Sequence, residues 1–198
     1  MSNQEDIRAL ILRARERKAI WLNLSKRGLT ELPPEIGDLT ELRVLWLDEN
    51  QLTQLPPEIG KLTELRRLRV SSNRLTDLPP EFGQLRQLQK LQLGDNLLPV
   101  LPEVLATLSE LTELDLRANL ISQLPAWIDR FAKLKKLSIG KLFGDKRRYV
   151  AERGKGLTEL PPAVAQLTNL QTLNLSFNQL TELPPAVEIG RASCRERV

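Results

Sequence analysis

Between residues 39 and 130 the sequence repeats every 23 residues without an insertion or a deletion. Within each unit, aliphatic residues recur at positions 1, 4, 7, 9, 14 and 17, an asparagine stands at position 12 and a proline at position 18. A weaker unit precedes this run at 16–38, a longer one follows at 131–166, and a regular one occupies 167–189. A fixed short period is typical of proteins that stack one small unit on the next, so we expect seven coils around one continuous core.

Each unit contains a short stretch in which inward and outward residues alternate. In the second coil, residues 44–48 read Val-Leu-Trp-Leu-Asp, which predicts a short strand with Leu45 and Leu47 facing a core. Stacked strands of this kind form a parallel sheet, and the side chains at unit positions 6, 8 and 10 are expected on its exposed face. The segment 57–62 starts with proline and predicts a short helical turn on the opposite side of the coil.

The asparagines at position 12 would lie one above another in such a stack. A side-chain amide both donates and accepts hydrogen bonds, so each asparagine can satisfy backbone groups of a tight turn. We therefore predict a structural asparagine ladder made of Asn50, Asn73, Asn96, Asn119 and Asn178.

The repeat resembles the leucine-rich repeat family in its 23-residue form, Leu-x-x-Leu-x-x-Leu-x-Leu-x-x-Asn-x-Leu-x-x-Leu-Pro. This resemblance implies an α/β fold, a right-handed leucine-rich-repeat solenoid with a curved parallel sheet on the concave side and short helical turns on the convex side. The Leu-Pro-Pro-Glu-Ile-Gly variant is also similar to Ras-group repeats of scaffold proteins and to the repeats of bacterial Roco proteins.

Three segments follow from the repeat boundaries: an N-terminal capping helix at 1–18, a leucine-rich repeat domain at 19–187 and a tail at 188–198. Ile7, Leu10, Ile11 and Ala14 fall on one helical face, which predicts a cap over the first open coil. The alternative is a basic helix that binds a partner or a membrane.

The tail, Glu-Ile-Gly-Arg-Ala-Ser-Cys-Arg-Glu-Arg-Val, resembles the translation of a common short-read sequencing adapter. The alternative is a basic disordered tail. If the tail is not native, the reading frame is truncated near Val187. The leucines of the last coil are then expected next to solvent: Leu170, Leu173, Leu175, Leu180 and Leu183.

Composition argues against most enzyme classes. Histidine is absent and Cys194 is the only cysteine, so the commonest general base and the commonest metal ligands are missing. We expect no catalytic residue, no cofactor and no metal. The 29 basic and 25 acidic residues leave a net charge of +4, which gives little reason to expect nucleic acid. The chain has no run of apolar residues long enough to span a membrane, and its start does not resemble a signal peptide, so a cytoplasmic location is expected.

Seven residues on the exposed face are the candidate partner-binding residues: Trp21, Val44, Trp46, Arg67, Arg69, Asp115 and Arg117. Tryptophan and arginine are the types most enriched at binding hot spots. The alternative is structural, with Trp21 packed under the cap helix and Trp46 shielded by an arginine. Asp115 and Arg117 carry mixed charge that is also typical of a solvated surface.

The sixth coil carries an insertion at about 140–156, with six basic and two acidic residues. It is expected to project from one rim of the sheet, either as a binding loop or as a tolerated solvated loop. Trp127 lies on the outer side with Val104 and Ala163, which indicates packing; the alternative is a second interface.

The predicted function is protein–protein interaction: a scaffold or recognition module, of a kind used in signalling, that binds a protein or a peptide on its concave face. The alternative is the N-terminal recognition part of a truncated larger enzyme, such as a Roco-type GTPase or a kinase.

Overall fold

The computed structural model describes residues 3–140 and 156–182. An α-helix, α1, is followed by seven three-residue strands that form one parallel sheet in chain order. Their bounds are α1 Asn3–Glu16, β1 Trp21–Asn23, β2 Val44–Trp46, β3 Arg67–Arg69, β4 Lys90–Gln92, β5 Glu113–Asp115, β6 Lys136–Ser138 and β7 Thr172–Asn174. The predicted solenoid with one parallel sheet is confirmed.

The strands pair in the register that the 23-residue period requires. Leu45 pairs with Leu68, Leu68 with Leu91, and Leu91 with Leu114, and all four side chains are buried. A shift by one residue would turn these leucines outward, so the continuous apolar interior fixes the register. The middle residue of each strand points into the core and the two flanking residues point away from it.

Short 3-10 helices form the opposite side of the coils. They span Pro34–Asp38, Pro57–Lys61, Pro80–Gln84, Glu103–Thr107, Ala126–Arg130 and Pro162–Gln166. Four of them begin with proline. Proline has no backbone N–H, and this costs nothing at the first helical position because an N–H there would have no partner within the helix. Each stops after one turn, as when the Leu62 N–H donates to the Ile59 carbonyl at 3.1 Å. The predicted short helical turn is confirmed.

Glycine allows two of these 3-10 helices to approach the next coil closely. A Cβ on Gly60 would stand 2.4 Å from the Glu81 carbonyl oxygen, and one on Gly37 would stand 2.8 Å from the Glu58 carbonyl oxygen. Any side chain at these positions would force the coils apart. The Ile-Gly part of the repeat therefore reflects contact between coils.

The five predicted ladder asparagines all make the same set of bonds. In the third coil, Asn73 accepts from the Leu52 N–H at 3.0 Å and donates to the carbonyls of Leu47 at 3.0 Å and Val70 at 3.1 Å. Two of these partners belong to the preceding coil, so each asparagine joins two coils. Asn178 spans the insertion in the same way, because it donates to Ile139 at 2.6 Å and accepts from Leu157 at 3.0 Å.

Helix α1 packs against the 3-10 helix Pro34–Asp38 of the first coil. Ile7, Ile11 and Ala14 are buried in the core, as expected for a cap, and Leu10 is half-buried. Two of its arginines form exposed ion pairs with acids of that coil, Arg8 with Glu35 at 3.3 Å and Arg15 with Asp38 at 3.3 Å. The buried side chains of the helix close the core at its first end.

The last coil departs from the expectation that its leucines face solvent. Leu170, Leu173 and Leu175 are 4%, 3% and 3% exposed, so the expectation is wrong for these three residues. They point into the interior shared with the sixth coil, where Leu173 pairs in register with Leu137. Leu180 is half-buried. Leu183, most of the basic insertion, and the tail at 188–198 lie outside the described residues.

Candidate functional site

The candidate site lies on the side of the sheet that faces away from the core, which we call the strand face. It consists of the first and third residues of each strand. The structure brings five of the seven candidate residues together on β1, β2 and β3: Trp21, Val44, Trp46, Arg67 and Arg69. Asp115 lies on β5 and Arg117 just after it, so this pair is separate from the five. At about 4.8 Å per strand, the gap between β3 and β5 is about 10 Å.

Two tryptophans form the apolar part of the strand face. The rings of Trp21 and Trp46 meet edge to face, with centroids 5.5 Å apart and an interplanar angle of 86°. Trp46 is half-buried, whereas Trp21 is 49% exposed. That exposed half argues against the interpretation in which Trp21 packs under the cap helix. The neighbouring Ile20 is also exposed, at 55%.

Arg69 covers Trp46 on the side of the next coil. Its guanidinium carbon lies 5.0 Å from the Trp46 ring centroid, and its Nε donates to Asp48 Oδ2 at 2.6 Å. Trp46 is thus shielded by an arginine, as the structural interpretation expected. It is also fixed in orientation, because a ring on one side and a paired guanidinium on the other restrict its rotation.

Asp48 was expected on the exposed face, since it occupies unit position 10, but it is buried with 6% exposure. Its Oδ1 accepts from the Ser71 N–H at 2.9 Å and its Oδ2 is paired with Arg69. The carboxylate turns back against the backbone because it satisfies an N–H of the next coil. Burial raises the pKa of Asp48, while the Ser71 hydrogen bond and the Arg69 charge act in the opposite direction without cancelling that effect.

Arg67 differs from Arg69 although both lie on β3. Both side chains are exposed, but Arg67 makes no ion pair with any residue in 3–140 or 156–182, whereas Arg69 is paired with Asp48. Its register neighbours are Val44 on one side and Lys90 on the other. A guanidinium without a carboxylate partner next to an apolar surface is well suited to bind a carboxylate from another molecule.

A row of charges continues across β4, β5 and β6. Glu113 accepts from Lys90 at 2.6 Å and lies 3.7 Å from Lys136 Nζ. Partial burial by itself would raise the pKa of Glu113, but the Lys90 hydrogen bond and the charges of Lys90, Lys136 and Arg67 together hold it below the ordinary value. Two lysines therefore share one carboxylate.

Asp115 and Arg117 satisfy each other. Arg117 Nε donates to Asp115 Oδ1 at 2.9 Å and Nη2 donates to Oδ2 at 2.6 Å, which is a bidentate pair. The Arg117 N–H also donates to Asp115 Oδ1 at 3.0 Å. The hydrogen bonds that Arg117 donates to the Asp115 carboxylate raise the pKa of Arg117 above its already high usual value. These two side chains are held locally and lie apart from the tryptophans.

Other surfaces offer less. No group of three or more potential metal ligands occurs among the described residues. In that same part of the chain, no helix combines the length and the apolar character that crossing a membrane requires. An open groove of about 500 Å³ lies on the helical side next to Pro80, Pro102 and Val104. Trp127 packs edge to face on Phe131, with centroids 6.0 Å apart, and is partly buried against the core with Val104 and Ala163.

Comparison with known proteins agrees with this geometry. Residues 18–114 match the family model of a leucine-rich repeat region, and residues 169–188 match that of a leucine-rich repeat. Together the two matches cover more than half of the chain. The chain belongs to the leucine-rich repeat family. Domains of this family are in general protein–protein interaction modules, and their fold is a non-catalytic scaffold.

Two solved structures illustrate the likeness. A leucine-rich repeat protein of Leptospira interrogans is 32% identical, with a TM-score of 0.64, over 94% of this chain and 58% of that one. An internalin of Listeria monocytogenes is 20% identical, with a TM-score of 0.54, over 82% of this chain and 53% of that one, and shows likeness of fold alone. The leucine-rich repeat chain thus spans little more than half the length of these structures. No curated protein matches its sequence.

Sequence reasoning missed two features of the strand face. It did not identify Asp48 as the buried partner of Arg69, and it did not connect Glu113 with Lys90 and Lys136. The second connection was accessible, because Lys90, Glu113 and Lys136 are each 23 residues apart and so must be register neighbours. The first was not, because Asp48 and Arg69 lie 21 residues apart and meet only through a diagonal turn of the carboxylate.

Proposed function

We propose that this leucine-rich repeat protein binds a protein or a peptide on the strand face, with Trp21, Val44, Trp46, Arg67 and Arg69 at the centre of the contact. Asp115 and Arg117 would lie at its periphery. The observation that carries the proposal is the exposed half of the Trp21 ring beside a Trp46 ring that is already fixed.

Preorganisation is the physical reason to favour this centre. A side chain that is immobile before binding loses little conformational freedom when a partner covers it. Trp46 is held between Trp21 and Arg69, and Arg69 is held in turn by Asp48. Covering Trp21 would remove apolar area from water without reorganising the sheet. Rigid aromatic anchors with an arginine beside them match the usual composition of hot spots.

The proposal is tested by selecting peptides from a displayed random library on the immobilised full chain. Binding of the selected peptides is then measured to the wild type, to Trp21→Ala and to Trp46→Ala. Val100→Ala is the matched control, because Val100 is 63% exposed and is not on the strand face. We expect a loss of at least 1 kcal/mol, about fivefold in affinity, for each tryptophan variant and none for the control.

Circular dichroism and thermal unfolding establish that each variant remains folded. If folded Trp21→Ala and Trp46→Ala bind every selected peptide as tightly as the wild type, the strand face is not the binding site. The same result for Trp46→Ala alone would remove only that residue from the contact.

A further inference from the structure

The register of the sheet arranges the first residues of the strands into one line, which we call the front column. It comprises Trp21, Val44, Arg67, Lys90, Glu113, Lys136 and Thr172, each paired in register with the next. The column is apolar at its first two positions and basic over most of the following four. A ligand that follows the column therefore meets two different chemical surfaces in a fixed order.

The charges of the strand face do not cancel. Arg69 is neutralised by Asp48, and Arg117 by Asp115. Lys90 and Lys136 share Glu113, so that group keeps one positive charge, and Arg67 makes no ion pair with the described residues. The two uncompensated charges both lie in the front column, one at Arg67 and one around Lys136. Charge complementarity thus favours an anionic ligand with two separated negative groups.

The apolar end identifies what kind of anion fits. Trp21 is 49% exposed and Val44 is half-buried, so the ligand must bring apolar area as well as charge. Nucleic acid offers one regularly repeated phosphate per nucleotide, and the single carboxylate of Glu113 interrupts the basic row that would follow such a backbone. A polypeptide with an aromatic or large aliphatic residue at one end and spaced carboxylates satisfies both parts of the column.

We propose that the front column binds an acidic peptide segment whose aromatic residue covers Trp21 and Val44 and whose carboxylates meet Arg67 and Lys136. This inference rests on the proposed function, because it specifies the partner of the same face. Strands lie about 4.8 Å apart, so Arg67 is about 10 Å from the Trp21 position and Lys136 about 14 Å further. An extended peptide advances about 3.3 Å per residue, which spaces the aromatic residue and the two carboxylates by about three and then four residues.

The probe is a fluorescein-labelled synthetic peptide of sequence Trp-Ser-Ala-Glu-Ser-Ala-Ser-Glu, compared with the same peptide carrying Gln or Lys in place of both Glu. Binding to the full chain is followed by fluorescence anisotropy at low and high salt. We expect the Glu peptide to bind about tenfold more tightly than the Gln peptide, and this advantage to shrink as salt screens the charges.

The decisive variant is Arg67→Glu, with Arg74→Glu as the matched control. Arg74 lies in the same coil but is not a residue of the strand face, and its side chain is also exposed, so the variant reverses the same charge elsewhere on the surface. We expect the Arg67→Glu variant to bind the Glu peptide more weakly than the wild type does and to bind the Lys peptide more tightly than the Glu peptide. The Arg74→Glu variant should bind both peptides as the wild type does. Such a reversal cannot arise from a general loss of structure.

Three outcomes would overturn the inference. One is equal binding of the Glu and Gln peptides, both lost in Trp21→Ala, which would leave the proposed function intact. The second is tighter binding of an oligothymidylate of similar charge that depends on Arg67. The third is that none of these peptides binds while library-selected peptides without acidic residues bind the strand face. If the binding of every peptide, selected or designed, is unchanged in Trp21→Ala and Trp46→Ala, the proposed function itself is wrong.

Discussion

The residue before each ladder position has a left-handed backbone, although none of these residues is glycine. The φ angles range from 55° to 63° at Glu49, Ser72, Asp95, Ala118 and Phe177, and Lys26 has a φ of 60° before Arg27, which holds the same unit position in the first coil. Side chains other than those of asparagine and aspartate rarely adopt this conformation, because Cβ approaches the following carbonyl oxygen. The coil accepts the cost because this turn places the asparagine where its amide can bond to two coils.

Replacing Ala118 by glycine is expected to stabilise the protein. Alanine gains nothing from local side-chain hydrogen bonding in the left-handed region, and glycine removes a penalty of about 1 kcal/mol. Urea denaturation should therefore show a higher midpoint for Ala118→Gly at an unchanged slope. Ala132, which is exposed and does not have a positive φ, is the control, and Ala132→Gly should be neutral or destabilising. A lower midpoint for Ala118→Gly would show that the contacts of the methyl group and the lower unfolded-state entropy of alanine together outweigh the strain.

The asparagines and the left-handed residues before them differ in how well sequence predicts them. Asparagine recurs at a fixed position, and its chemistry explains why a buried turn requires it. The preceding position holds lysine, glutamate, serine, aspartate, alanine or phenylalanine, so its composition carries no signal. The backbone conformation there is imposed by closure of the coil, which no single residue type encodes.

At the scale of elements, contact between successive 3-10 helices depends on glycine. Gly60→Ala would place a Cβ 2.4 Å from the Glu81 carbonyl oxygen, so backbone on one side must move. We expect a loss of about 2 kcal/mol in the free energy of unfolding, a typical cost of overpacking. Gly94→Ala is the matched control, because its nearest contact would be an ordinary 3.4 Å to the Arg117 carbonyl oxygen. Equal unfolding midpoints for the two variants would show that the coils separate without cost.

Glu113 links three strands, and its contribution to stability should depend on pH. Its pKa in the folded protein is lowered from the ordinary value of 4.5, so the folded state binds this proton less readily than the unfolded state does. The stabilisation is therefore present above pH 4.5 and is lost as the pH falls through the folded pKa. Because the pair is partly solvated, its worth at neutral pH is below about 1 kcal/mol.

The corresponding measurement compares the wild type with Glu113→Gln by urea denaturation at neutral and at acidic pH. We expect the wild type to be the more stable at neutral pH and the difference to vanish in acid. Glu159→Gln serves as control, since Glu159 is exposed and makes no ion pair within the ranges that the structure describes. A difference that is the same at both pH values would mean that the lysines do not stabilise the Glu113 carboxylate.

Element order and register followed from the period, but the pairing of charges on the strand face followed only in part. A period of 23 fixes which residues are register neighbours, so the front column could be written down from the sequence. Whether a side chain extends to solvent or turns back to the backbone depends on competing partners. Asp48 bonds to Ser71 and Arg69, whereas Asp115 bonds to Arg117 two residues away. Sequence spacing does not decide between these alternatives.

At the scale of the whole molecule, the ladder links successive coils by one continuous row of hydrogen bonds. Adjacent asparagines share acceptors, because the Val70 carbonyl accepts hydrogen bonds from the side-chain amides of Asn73 at 3.1 Å and Asn96 at 3.0 Å. The Leu93 carbonyl accepts hydrogen bonds from Asn96 and Asn119 in the same way, at 3.0 Å each. A carbonyl oxygen has two lone pairs, so both bonds can form at once. The hydrogen bonds therefore run without interruption from the second coil to the fifth.

This sharing predicts a specific pattern of coupling between distant parts of the solenoid. Removing Asn73 or Asn96 alone leaves the Val70 carbonyl with one asparagine donor, whereas removing both leaves it with neither. We therefore expect the double variant Asn73→Ala/Asn96→Ala to lose about 0.5–1 kcal/mol more than the sum of the single losses. Asn73 and Asn119 share no partner, so Asn73→Ala/Asn119→Ala should be additive.

The two double-mutant cycles, Asn73 with Asn96 and Asn73 with Asn119, are measured by urea denaturation. All variants are measured at the same concentration of trimethylamine N-oxide, which raises their stability enough to keep a folded baseline. The comparison of two cycles is necessary, because general weakening of the fold would affect both equally. Additivity in both cycles would show that each asparagine acts within its own pair of coils. Coupling that is confined to the adjacent pair would show that the shared carbonyl transmits stability along the stack.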